Sequence, residues 1–325
     1  TRTLTTMAND CNQPHLKVVS YNMHGYNQGL NTVRELIKTD APDIFLLQEH
    51  WLTPANLHRF DNDFCNYFTF GCSAMSKAVE SNILTGRPYG GVMILINNSL
   101  RQITKTIYCE ERYAVIMVAN YIIVNMYLPC VGTENRLLLC ESILSGITCY
   151  LEQYDDYVYL ISGDFNCDLS SSDKVASCLI KFINDLSLHR CDELFDKTAL
   201  MTYVNTALNH NSRIDYMLIS CSEKALHFDV LDHALNFSDH LPLIACFVYD
   251  VLDNAKPTSH VAFETRLRWD KADLLSYYAF TGCKLQELLH KLDTFEVDNI
   301  GESEMQLFIE SINNDIVSVL TEGAK

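Results

Sequence analysis

Through its first 250 residues the chain repeats one pattern: a short run of aliphatic, β-branched and aromatic residues that finishes on a polar or charged side chain. Bounded runs of this kind are strand signals. They fall at Leu16 to Tyr21, Asp43 to Gln48, Gly91 to Ile96, Ala114 to Val118, Tyr121 to Met126, Tyr157 to Ser162, Ile214 to Ile219 and Leu243 to Val248. Helical periodicity occupies Leu30 to Lys38, Glu134 to Gln153 and Asp173 to Leu186, where Asp173 is placed to cap the helix. Strands outnumber helices, and many adjoin with no crossover helix between them. That order predicts an α/β protein of two packed mixed sheets with helices outside, not a doubly wound parallel sheet.

Past residue 250 the texture changes. Asp253 to His260 reads as a linker, while Asp270 to Lys291 and Glu302 to Leu320 carry apolar residues at helical spacing. The expected division is an N-terminal extension over 1–15, a body over 16–249, and a linker with a small helical segment over 250–325.

Composition narrows the function classes. No apolar run approaches the roughly 18 residues of a membrane span, so no membrane partner is expected. Thr1 to Asp10 has neither a basic stretch nor an apolar core, and no secretory signal is expected there. The net charge is −17, with 17 basic and 27 acidic residues up to position 248 and 7 and 14 beyond it. No basic block is available as a general nucleic-acid clamp. A nucleic-acid enzyme of this composition must gather its few Arg and Lys on one face or rely on a divalent ion to screen phosphates. The 13 cysteines form no Cys-x-x-Cys pair, and small buried hydrophobes in a reducing compartment is the reading they favour.

The chemistry lies in the polar residues at the strand ends. In chain order these are Asn22, Glu49, Tyr127, Asp164 with Asn166, Asp215, and Asp239 with His240. Loops at strand ends are where rigid sheets build sites. Glu49, Asp164, Asp215 and Asp239 have no cysteine or paired histidine beside them, so if they converge they form a hard oxygen site suited to magnesium or manganese. An acid next to that ion can orient a water, a histidine paired with an acid can stabilise developing negative charge, and Asn and Tyr can donate to phosphate oxygens. Together these functions describe phosphodiester hydrolysis.

Taken singly, each residue has a plainer reading. Gly163-Asp164 is a common turn, Asp239 can cap one, Asn22 can precede a left-handed Gly25, and Tyr127 can be a core aromatic. Glu49 resists such a reading most, because a carboxylate closing the run Ile-Phe-Leu-Leu-Gln is costly to bury without a partner. Tyr154-Asp155-Asp156 mimics a polymerase signature but reads as a solvated helix end.

The ordered set, above all Gly-Asp-Phe-Asn at 163–166 and Ser-Asp-His at 238–240, with Gln48-Glu49 and Arg213-Ile-Asp215-Tyr, resembles the endonuclease/exonuclease/phosphatase superfamily over about residues 16 to 248. That resemblance implies a four-layer α/β/β/α sandwich of the DNase I type. It also implies roles: Asn22 and Glu49 hold the divalent metal with Asp239, Asp164 aligns or deprotonates the attacking water, and Asn166 supports phosphate and nucleophile. Asp215 orients His240 against the scissile phosphate, and Tyr127 donates to phosphate or steadies the leaving oxygen.

A closer match is to the endonuclease domain that begins the polyprotein of non-LTR (LINE-type) retrotransposons. It is carried by Ser20-Tyr-Asn-Met-His-Gly-Tyr-Asn-Gln-Gly29, Gln48-Glu-His-Trp-Leu52 and Gly86-Arg-Pro-Tyr-Gly-Gly91, and in the tail by Arg268-Trp-Asp-Lys-Ala-Asp273. This resemblance implies nuclear action and nicking of DNA to leave a 3′-hydroxyl that primes reverse transcription. The partners it implies are DNA, the element's own RNA and a downstream reverse transcriptase domain. Arg87, Arg101, Arg136 and Arg213 are the candidate phosphate contacts. His50-Trp51 stands where dedicated abasic-site enzymes carry Thr-Lys, which argues against abasic specificity, and Cys-Asp-Leu after Asn166 disfavours an inositol phosphate. The competing readings are the same chemistry on RNA or sphingomyelin, and a catalytically silent DNA- or protein-binding domain.

Overall fold

The computed structural model of the chain describes residues 14–76, 79, 86–205, 209–250, 274–293, 295 and 302–323. Two compact units emerge, Thr1–Asn254 and Ala255–Lys325. The linker expected at Asp253 to His260, the motif Arg268 to Asp273 and residues 1–13 lie outside the described residues.

Unit one contains fourteen described strands. They are β1 (His15–Asn22), β2 (Ile44–Gln48), β3 (Tyr67–Cys72), β4 (Val92–Asn97), β5 (Thr104–Cys109), β6 (Tyr113–Val118), β7 (Tyr121–Tyr127), β8 (Val158–Asp164), β9 (His189–Arg190), β10 (Tyr203–Asn205), β11 (His210–Ser212), β12 (Asp215–Ile219), β13 (Ala225–Val230) and β14 (Leu243–Val248). Two six-stranded sheets result, ordered β13-β14-β1-β2-β4-β3 and β5-β6-β7-β8-β12-β9, with β10 and β11 as a separate hairpin. Each sheet is mixed in the same way. One parallel pair, β1–β2 or β7–β8, is embedded among antiparallel neighbours. The helices Tyr26–Thr39 and Arg136–Leu151 are the crossovers that parallel pairing requires.

Three apolar layers account for the packing. Leu16, Val18, Ile44, Leu46 and Ile94 from the first sheet meet Ala114, Ile116, Ile123, Leu160 and Met217 from the second, so one core lies between the sheets. On the outer face of the first sheet, Val19, Tyr21, Phe45 and Leu47 pack with Val33, Leu36 and Phe60 from helices Tyr26–Thr39 and His58–Asp63. The second sheet likewise covers Val124, Ile161 and Leu218 with Ile143, Ile147, Leu179 and Phe182 from helices Arg136–Leu151 and Lys174–Asp185. This is the expected α/β/β/α sandwich. Because β2, β6 and β7 are buried on both faces or nearly so, their sequences run apolar without alternation.

Asp173 caps helix Lys174–Asp185, its carboxylate accepting the Val175 N–H at 3.1 Å. Tyr154 to Asp156 forms a largely exposed turn ahead of β8, as its polar character predicts. Among its described residues unit two holds helices Leu274–Asp293 and Glu302–Gly323, tied by Lys291 to Asp315 at 2.8 Å. Among the described residues no helix is long and apolar enough to cross a membrane.

Candidate active site

The two parallel pairs, one from each sheet, end side by side, and the loops beyond them, with His24, Glu49, Asn166 and His240, line a cleft of about 660 Å³. In the first sheet Asn22 is in register with Gln48, which puts Glu49 one residue beyond the paired row. In the second, Tyr127 pairs with Asp164, and Asp164 pairs in turn with Asp215. The loop after β13 brings in Asp239 and His240. All eight residues anticipated from the sequence therefore lie at this end of the sandwich.

Gly163 explains part of the arrangement. It is not in a turn but inside β8, with φ of 150°, and a Cβ there would lie 1.8 Å from the Met126 carbonyl oxygen. Only glycine allows β7 and β8 to close to the distance that sets Asp164 against Tyr127. Two site residues occupy left-handed backbone, Glu49 at φ 51° and Asn166 at φ 50°. Non-glycine residues hold that conformation only where surrounding bonds enforce it. At Glu49 the carbonyl accepts the Gly25 N–H at 2.8 Å, and at Asn166 the N–H donates to Asp164 Oδ1 at 2.7 Å.

Asp164 is fully buried and central. Asn22 Nδ2 donates to Asp164 Oδ2 at 2.9 Å and to Glu49 Oε1 at 3.0 Å, joining the acids of the two sheets. Asn22 thus meets the site through its amide nitrogen, its oxygen accepting the His24 N–H at 3.0 Å. Asn166 Nδ2 donates to Asp164 Oδ2 at 3.1 Å and to the Leu128 carbonyl at 2.9 Å. His240 Nδ1 donates to Asp215 Oδ2 at 2.9 Å, while its Nε2 stands 3.9 Å from Asp164 Oδ2. Burial disfavours an imidazolium at His240, yet Asp215 and Asp164 outweigh it and raise its proton affinity well above that of an ordinary histidine. Burial also raises the Asp164 carboxyl; His240 counters this, while Asp215 and Glu49 add to it. Burial, then Glu49 and Asp164, push the Tyr127 phenol up, so its hydroxyl remains a donor facing Glu49.

Asp239 pairs with a residue that the sequence did not single out. Its Oδ1 bonds His24 Nδ1 at 2.6 Å, and the His24 ring lies 4.9 Å from the Trp51 indole. Burial opposes charge on Asp239, but His24 and His240 outweigh it and hold its carboxyl below the usual range. Three more residues complete the shell. Trp51 Nε1 donates to Glu49 Oε2 at 2.9 Å, Ser238 Oγ donates to the Asn22 carbonyl at 2.8 Å, and the Tyr203 ring packs edge-on against His240 at 5.1 Å. His24, Trp51 and Ser238 all stand inside the segments that carried the resemblance, which was the available signal.

Two of the arginines expected to contact phosphate are otherwise engaged. Arg213 is buried, its guanidinium held by Asp192 and by the carbonyls of Lys197, Thr198 and Leu200. A buried guanidinium with all these partners holds the chain together and is withdrawn from the surface. Arg136 lines the cleft but binds Asp173 at 2.5 Å and the carbonyls of Pro129 and Asn166 at 3.0 and 2.8 Å, fastening the loops that follow β7 and β8. Arg101 lies over the Phe68 ring at 4.3 Å, and Arg87 is exposed.

Among the described residues the basic side chains that pair with these acids are His24 and His240, and so much carboxylate in a largely buried site calls for a positive ion. The donor set fits a hard divalent cation. Asp164, Asp215 and His240 offer ligand atoms within 4.8 Å of one another. Asp215, however, is committed to His240 Nδ1, so we read that trio as an oriented imidazole facing an acid. The half-buried carboxylates of Glu49 and Asp239, both lining the cleft, are the oxygens left for a cation.

The profile of the Endonuclease/Exonuclease/phosphatase family matches residues 19–240, and the chain belongs to that family. Its fold is similar to that of the AP endonuclease LMAP from Leishmania major, with a TM-score of 0.62 at 14% identity over 74% of this chain and 90% of that one. An AP endonuclease from Archaeoglobus fulgidus is similar at TM-score 0.55 and 18% identity, covering 73% of this chain and 100% of that one. The 3′-5′ exonuclease NExo from Neisseria meningitidis matches at TM-score 0.56 and 17% identity, over 72% of this chain and all of its own length. No curated protein matches the chain by sequence. Family and fold make the chain a DNase I-like protein of the nuclease and phosphodiesterase class.

Proposed function

We propose that the chain is a divalent-metal-dependent DNA endonuclease that hydrolyses a phosphodiester to leave a 3′-hydroxyl. The observation that carries this reading is the His240–Asp215 pair aimed across a 3.9 Å gap at the buried Asp164. Asp215 fixes the imidazole with Nδ1 protonated, and the raised proton affinity of His240 keeps Nε2 protonated as well, ready to donate to a phosphate oxygen. Asp164, braced by Asn22 and Asn166 and deprived of solvent, binds a proton more readily than an ordinary carboxylate. That is the property a base needs to take one from water. Tyr127, protonated and at the opposite edge, donates to phosphate or to the departing oxygen. Glu49 and Asp239 would hold the cation, which supplies charge neutralisation to the phosphate when bound.

A related protein has been seen on DNA: a solved structure of the Neisseria 3′ phosphatase NExo is bound to a product DNA hairpin, and its fold resembles this one at TM-score 0.55. That structure supports DNA as the substrate class; the LINE-type segments around Asn22, Glu49 and Gly90 extend the proposal to a nicking enzyme for target-primed reverse transcription, acting in the nucleus. The element's RNA and a downstream reverse transcriptase domain would be its partners.

The test is nicking of supercoiled plasmid by the full chain with magnesium or manganese, beside His240→Ala and Asp164→Ala. Both substitutions are expected to lower the rate by at least about 100-fold without changing the fold. Nicking at the wild-type rate by either variant would remove these roles.

A further inference from the structure

The cleft lacks what a polyanion binder ordinarily supplies. The chain carries a net charge of −17, and among the described lining residues the one Lys or Arg, Arg136, is already paired with Asp173. A grip built on phosphate neutralisation has little to draw on here. The rim offers something else. Phe237 is 65% exposed, Val131 80%, Tyr89 54% and Met201 43%. Val131 lines the cleft, and the others adjoin the site along the chain: Tyr89 precedes Gly90, whose carbonyl accepts the Trp51 N–H, and Met201 precedes Thr202, whose hydroxyl holds the Asp215 N–H.

Phe237 is the sharpest case, because the chain on either side of it is pinned. Asn236 accepts from the Tyr21 hydroxyl at 2.7 Å and donates to the His240 carbonyl at 2.8 Å. Ser238 is fixed by its N–H to Asn236 Oδ1 at 3.1 Å and by its hydroxyl to the Asn22 carbonyl at 2.8 Å. A loop held this firmly could have turned its phenyl ring inward. Instead the ring stands in solvent, two residues along the chain from Asp239, which lines the cleft. Apolar side chains in such positions enter between base steps, unstack them and bend the duplex, gaining contact that does not depend on charge.

We infer that Phe237 is a wedge that opens a base step of duplex DNA beside the scissile phosphate, with Tyr89, Val131 and Met201 as the apolar rim that receives the bent strand. This deepens the DNA reading above and rests on it. The substrate is then a duplex that deforms easily, and negative supercoiling, which eases unstacking, substitutes in part for the wedge.

The experiment compares nicking of negatively supercoiled plasmid with nicking of the same plasmid relaxed, using the full chain with magnesium. Phe237→Ala is expected to nick relaxed DNA about tenfold more slowly than wild type, the scale of one base–aromatic stack, and to lose clearly less on supercoiled DNA. Phe237→Leu, still an apolar wedge, should stay near wild type on both. Unaltered rates in Phe237→Ala, or an equal loss on both forms, would overturn the wedge. If folded wild type nicks neither form, it is the DNA reading that has failed, and the wedge falls with it. Wild-type nicking that His240→Ala abolishes and Phe237→Ala leaves intact would remove the wedge alone.

Discussion

His50 follows Glu49 directly and is completely buried. Its Nδ1 accepts the Leu52 N–H at 3.0 Å, and its Nε2 donates to the Cys72 carbonyl at 3.1 Å. Both ring nitrogens are thereby committed with the imidazole neutral, and burial pushes its pKa down to about 4, against 6.5 for an ordinary histidine. Between those values the unfolded chain binds the extra proton and the folded chain does not. Stability is therefore complete above the unfolded value and is lost as pH falls toward the folded one. The total is roughly 3 kcal/mol, at about 1.4 kcal/mol per unit. Melting temperature should fall as pH drops through this window, and His50→Gln, which keeps a donor and an acceptor, should flatten the fall. Identical slopes would clear His50 of the effect.

The same scale shows what a sequence exposes. Glu49 was legible because it breaks the local logic of an apolar strand, whereas Asp164 and His240 became legible only through the ordered set in which Gly-Asp-Phe-Asn and Ser-Asp-His stand. His24 was not, since the Asp239 carboxylate that defines it lies 215 residues away in sequence. Arg213 misled for the reverse reason: it stands beside the site in sequence, and only the packed structure reveals that Asp192 and three carbonyls have claimed it.

Among the elements, eight strands follow from apolar runs, and those missed are mainly edges. β3 and β13 flank the first sheet, and β5 and β9 flank the second. Half-exposed edge strands such as Thr104–Cys109 and Ala225–Val230 mix polar and apolar residues, and their identity comes from a neighbour's hydrogen bonds more than from their own composition. The tight element contact at Gly163 gives a prediction. In Gly163→Ala, the new methyl meets the Met126 carbonyl and β7 must part from β8. The loss should be on the order of 3 kcal/mol, or about 10 °C in melting temperature, together with a fall in nicking as Asp164 shifts. A variant that melts with wild type would mean that the strands part at no cost.

At the scale of the body, carboxylates from two sheets are brought together at one end, and the sandwich carries their mutual repulsion; the proposed cation would relieve it. Millimolar magnesium should therefore raise the melting temperature of the full chain, by an amount corresponding to about 2.7 kcal/mol when the ion is at a hundredfold its dissociation constant. Asp239→Asn should reduce the gain, and a chelator should abolish it along with nicking. A melting temperature indifferent to magnesium in the wild type would argue that Glu49 and Asp239 hold no cation.

The first strand of this body closes against the last. β1 is in register with β14 from His15 opposite Val248 to Ser20 opposite Leu243, and the Ser238 hydroxyl reaches back 216 residues to the Asn22 carbonyl. A ribosome must therefore deliver nearly the whole body before Asn22 has its neighbours and His240 exists at all. If the proposed activity holds, nascent and prematurely terminated chains lack the assembled site, which is completed only when synthesis has passed β14.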